Sequence, residues 1–136
     1  MARARAYVAE RVAAVPDGSP ALERLRAAIE GHVLTCLEIG DYTSANIRIF
    51  GQVPGDIRAR HLADQRAYGN VWRGLLEEAR AAGEIRADLD LGVVRMLILG
   101  ALNWTVEWYR PGAQSAGEIA RAATTMICEG IGLRPA

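Results

Sequence analysis

The sequence predicts an all-α fold in a single domain, and three observations carry that expectation. Alanine, leucine, arginine and glutamate dominate the 136 residues, and all four are strong helix formers. Apolar residues recur at helical spacing, and no stretch shows the β-branched alternation of a half-buried strand. Caps and stops punctuate the chain at short intervals.

The elements follow in order. Ala2 to Ala14 predicts a short first helix with Tyr7, Val8, Val12 and Val15 on one side. Pro16-Asp17-Gly18-Ser19-Pro20 is a turn. Ser19 reads as an N-cap, with Pro20 at the first helical position, where an N–H has no intrahelical partner. The second helix runs to about Glu38, with Leu22, Leu25, Ile29, Val33, Cys36 and Leu37 as its core stripe. Gly40 ends it, Asp41 caps a short third helix through Phe50, and Gly51 to Gly55 break the pattern.

A long helix is expected from about Pro54 to Ala82. Ile57, Leu62, Tyr68, Val71, Trp72, Leu75, Leu76 and Ala79 supply its apolar side, and Arg58, Arg60, Asp64, Arg66, Glu77 and Arg80 the polar one. Gly83 is a C-terminal stop. After the linker Glu84 to Asp90, Asp88 or Asp90 caps a helix reaching Tyr109. That helix is apolar nearly all round, at Val93, Val94, Met96, Leu97, Ile98, Leu99, Ala101 and Leu102, so more than one side needs a cover. Pro111-Gly112 stops it. Ser115 to Glu118 form a capping box for the last helix, whose apolar stripe includes Ile119, Ile127 and Ile131.

Composition bounds the function. A 51% hydrophobic and 24% charged chain of this length supports one packed core. Sixteen basic residues, all arginine, balance 16 acidic ones. A net charge of zero argues against a dedicated nucleic-acid binder and, more weakly, against a membrane-surface protein. Leu91 to Trp104 is the longest apolar run, but Arg95 and Asn103 break it, so no membrane span is expected. The N-terminal segment lacks the long apolar stretch of a secretory signal.

Cys36 and Cys128 read as buried thiols in a reducing cytosol, which predicts a cytoplasmic protein. No CxxC, HExxH, phosphate loop or nucleophile elbow occurs, so neither a metal, a cofactor nor a catalytic residue is expected, and the chain is read as no enzyme. His32, beside Gly31, and His61, in a polar stretch, read as ordinary surface or boundary residues.

Two constellations stand out. Gly100 and Ala101, with Ala122, Ala123, Met126 and Gly130, make a small and apolar stripe on the last two helices. Small residues permit close backbone approach, and so few helices cannot also cover this stripe. The expectation is a homodimer in which the last two helices of each protomer build a four-helix interface. Trp104 and Trp108 are one turn apart. With Asn103 beside them, and with Tyr68 and Trp72 from the long helix, they are the expected lining of an apolar pocket with few polar anchors.

The ordered set Ala82-Gly83-Glu84-Ile85-Arg86-Ala87-Asp88-Leu89-Asp90, Leu99-Gly100-Ala101-Leu102-Asn103-Trp104, Trp108-Tyr109-Arg110-Pro111-Gly112, then Ser115 and Glu118-Ile119-Ala120, resembles the C-terminal domain of TetR/AcrR transcriptional regulators. It looks most like the KstR/FadR-type subgroup. Asp41-Tyr42, Tyr68 and Trp72 also fall where such proteins carry similar residues. The resemblance spans about residues 20 to 133.

It implies a repressor's effector-binding and dimerisation domain over 16–136, with 1–15 resembling only the tail of a linking helix. It implies an acyl-CoA or lipid-like effector. DNA would be read only through a helix-turn-helix of which this sequence shows no pattern. The alternative expectation is an interaction module that pairs with full-length relatives and has no ligand of its own.

Overall fold

A computed structural model describes residues 2–39 and 55–133. The expected helix Asp41 to Phe50 and the Asp41-Tyr42 pair lie outside the described residues. Those residues form α1 (Ala2–Ala13), α2 (Ala21–Leu34, widening into a π turn at Thr35–Ile39), α3 (Gly55–Ala81), α4 (Leu91–Trp108) and α5 (Ala116–Ile131). They contain no strand; one isolated antiparallel bridge joins Ile85 to Gly132.

The local signals work as expected at three helix ends. Asp90 caps α4, its Oδ1 accepting from the N–H groups of Gly92 (2.9 Å) and Val93 (3.2 Å). Ser115 caps α5 by accepting from Glu118 N–H at 3.1 Å, although the reciprocal half of the capping box is not formed. Gly83 closes α3 at φ 76°. The Glu84 N–H reaches the Ala79 carbonyl and the Gly83 N–H that of Arg80, which is the paired pattern of a Schellman stop.

The start of α2 differs from the sequence expectation. Pro20 takes the N-cap position and Ser19 makes no capping bond. Glu84 supplies the cap instead. Its two carboxylate oxygens accept from Ala21 N–H at 2.9 Å and Leu22 N–H at 3.0 Å. A negative charge at a helix N-terminus is favourable, and here it fastens the α3–α4 linker to α2.

Helix α2 is the hub of the bundle and packs on α1, α3, α4 and α5. Its Leu25, Ala28, Ile29 and Val33 are wholly buried among Val8 of α1, Trp72 and Leu76 of α3, Leu102 of α4, and Cys128 and Ile131 of α5. The long helix α3 is used unevenly. Tyr68, Trp72, Leu75, Leu76 and Ala79 are buried, whereas Ile57, Leu62 and Val71 stay exposed.

On α4 the buried residues are Leu91, Val94, Ile98, Leu102 and Thr105, a single stripe at helical spacing. The opposite stripe of Val93, Met96, Leu97, Trp104 and Trp108 is exposed. Both cysteines are buried and neither forms a disulfide, and burial pushes the Cys128 thiol up to about 11. A thiol that resists ionisation is a poor nucleophile and a poor metal ligand.

Candidate functional site

Three of the five residues expected to line a pocket converge, and they do so around His32, which the sequence reads as a surface or boundary residue. His32 is 5% exposed, so that reading is corrected. The register of α2 held the signal. Leu25, Ile29, His32 and Cys36 recur at helical spacing, and all four are buried.

The His32 ring is held on both sides. Nε2 lies 2.7 Å from Oδ1 of Asn103 on α4, and Nδ1 lies 2.7 Å from the Tyr68 hydroxyl on α3. An amide oxygen only accepts, so Nε2 carries the proton and Nδ1 accepts from the tyrosine O–H. This arrangement fits a neutral imidazole. Burial lowers the His32 pKa, and the Asn103 hydrogen bond offsets part of that.

The Tyr68 ring stacks on the imidazole at 5.6 Å between centroids. Trp72 meets both rings edge-on, at 5.8 Å from His32 and 6.1 Å from Tyr68. Trp72 is wholly buried, and its indole Nε1–H has no hydrogen-bond partner among the described residues. The cluster sits one turn before the π turn. There Thr35 is buried and donates its hydroxyl to the Gly31 carbonyl at 2.8 Å, which competes with the regular helical ladder.

Trp104 and Trp108 do not join this cluster. Trp104 is 65% exposed and, with Trp108, lines an apolar groove of about 550 Å³ between α4 and α5, facing Ala122, Ala123 and Met126. The expected dimer residues share this outer surface. Gly100, Ala101, Ala122, Met126 and Gly130 are exposed and Ala123 is half-buried. Outside the adjoining backbone of its own helix, none of the described residues lies within 4 Å of where a Cβ would stand on Gly100 or Gly130.

Among the described residues no group of His, Cys, Asp or Glu is arranged to hold a metal. No described helix is long and apolar enough to cross a membrane.

A family model described as "Tetracyclin repressor-like, C-terminal domain" matches residues 18–131. The ketosteroid transcriptional regulator KstR2 of Mycobacterium tuberculosis superposes with a TM-score of 0.81 at 19% identity, over 96% of this chain and 68% of that one. A transcriptional regulator of the TetR/AcrR family from Thermobifida fusca YX-ER1 gives 0.70 at 30% identity, over 95% and 69%. AibR, solved in complex with isovaleryl coenzyme A and operator DNA, gives 0.70 at 24% identity, over 90% and 65%. No curated protein matches the chain.

Proposed function

The chain belongs to the tetracycline-repressor-like C-terminal domain family of transcriptional regulators, and from that premise we propose that it is the effector-sensing and homodimerising domain of a repressor. The effector is a small acyl-CoA-type or other lipid-like metabolite, and it engages the cluster of Tyr68, Trp72, Asn103 and His32. The observation that carries this reading is the wholly buried Trp72 indole, a hydrogen-bond donor without an acceptor among the described residues. An unsatisfied buried donor costs about 1–3 kcal/mol. A carbonyl or thioester oxygen lodged beside it recovers that energy, and the surrounding aromatic rings suit an apolar chain. AibR, with its bound isovaleryl coenzyme A, supports the effector class.

Dimerisation uses the opposite stripe of α4 together with α5. Gly100, Ala101, Ala122, Ala123, Met126 and Gly130 provide close approach, and Trp104 and Trp108 lie in the same seam. Exposed apolar surface of this extent is uncommon on a solitary protomer. Since Asn103 faces His32 and Trp104 faces the seam, α4 carries sensor and interface on adjacent residues. An effector that favours one position of α4 shifts the dimer between two arrangements, and with it the spacing of any DNA-reading units joined to the protomers.

A panel of acyl-CoA thioesters of graded chain length, with free CoA and free acids as controls, tests the proposal by thermal melting. A ligand that binds only the folded state at a hundredfold excess over Kd stabilises it by about 2.7 kcal/mol. No shift with any thioester or lipid would favour the interaction-module alternative.

A further inference from the structure

We propose that a second groove, on the outer side of the α3–α4 crossing, binds a phosphate-bearing head group through Arg66, Arg73 and Arg95. The groove measures about 490 Å³, within the range of small-molecule sites. Arg66, Gly69, Asn70 and Arg73 line it from one face of α3, and Arg95 enters from α4. Arg95 Nη1 donates to the Gly69 carbonyl at 3.3 Å. A Cβ on residue 69 would stand 3.4 Å from that nitrogen, at the edge of ordinary contact.

The charge of this groove is unbalanced. Among the described residues no Asp or Glu lines it. Arg5, Arg11, Arg24, Arg26 and Arg86 each meet a carboxylate, whereas Arg66, Arg73 and Arg95 pair with none among the described residues. In a chain of zero net charge, three uncompensated guanidiniums in one groove are a local attractor for anions. The planar five-donor fork of arginine matches phosphate oxygens two at a time. Exposed Leu62 and Met96 border the groove and give the rest of such a molecule an apolar flank.

The anion site does not rest on the sensor reading above: on α3 the exposed Arg66 and Arg73 lie on the face opposite the buried Tyr68 and Trp72.

Isothermal titration with adenosine 3′,5′-bisphosphate, a head-group probe without an acyl chain, tests the site alone. Pyrophosphate and adenosine separate the phosphate contribution from that of the base. The bisphosphate binds the unaltered chain, more weakly as salt rises, and about tenfold or more weakly in both Arg66→Gln/Arg73→Gln and Arg95→Gln, the loss expected for charge-assisted hydrogen bonds. Absence of bisphosphate binding at millimolar concentration, or equal binding by folded variants, overturns the site. No bisphosphate binding, beside a thioester that raises the melting temperature, overturns the site and leaves the sensor reading intact. Arginine-dependent bisphosphate binding, with no thioester raising the melting temperature more than free CoA does, upholds the site and removes the sensor reading.

Discussion

His32 on α2 and Asn103 on α4, 71 positions apart in the chain, meet at 2.7 Å inside the bundle. This contact ties the hub helix to the helix that bears the exposed apolar stripe. Burial at this contact lowers the His32 pKa, and the Asn103 hydrogen bond offsets part of that effect.

The first prediction is a pH dependence of stability. Burial lowers the folded His32 pKa below the ordinary histidine value of 6.5. The unfolded chain then binds more protons at mildly acidic pH. The stabilisation is fully present above about pH 6.5 and is lost as pH falls from there toward the folded pKa, by at most about 1.4 kcal/mol per unit. Urea unfolding between pH 7.5 and 5.5 should show this slope, and His32→Gln should flatten it. His61 is present in both proteins and cancels in the comparison, so equal slopes would refute the assignment to His32.

A second prediction concerns assembly. Sedimentation equilibrium at micromolar protein should give twice the 14.7 kDa chain mass. Gly130→Arg should yield a folded monomer, because Gly130 is exposed and a Cβ there meets none of the described residues within 4 Å beyond its own helix backbone. A variant that stays dimeric would move the interface away from α5.

Tryptophan emission separates the two groups of aromatic residues. Trp72 is wholly buried, while Trp104 and Trp108 are exposed. Trp104→Phe/Trp108→Phe should keep an effector-induced emission change, and Trp72→Phe should lose most of it. Trp72→Phe also removes the unpaired N–H, so its folding stability should change little despite the smaller ring. An effector response carried instead by Trp104 would assign the ligand to the α4–α5 groove.

The cap on α2 gives a stability contrast. Glu84→Ala removes the acceptor for two backbone N–H groups and should cost about 0.5–2 kcal/mol, read from the urea midpoint. Ser19→Ala should stay within about 0.5 kcal/mol, because Ser19 makes no capping bond. A larger loss at Ser19 than at Glu84 would contradict the observed cap.

What the sequence determined by itself is the set of features whose causes lie within a few residues. Asp90 and Ser115 cap the helices that follow them, and Gly83 and Gly112 take positive φ at the stops, as their local chemistry requires. Helical spacing likewise marked Trp72, Leu76, Leu102 and Ile131 for burial, and family resemblance marked the fold. The partner of each long-range contact was decided only by the tertiary structure. Glu84 displaced Ser19 as the cap of α2 because the α3–α4 linker folds back across 63 positions to bring a carboxylate to that helix end. His32 is buried because Tyr68 and Asn103, 36 and 71 positions away, satisfy both ring nitrogens at once. Trp72 and Trp104 look alike as aromatic residues on apolar helices, yet one is enclosed and the other open. Their fates depend on which face of α3 and of α4 meets α2, and that choice is made by the packing of the whole core, which no local window of sequence contains.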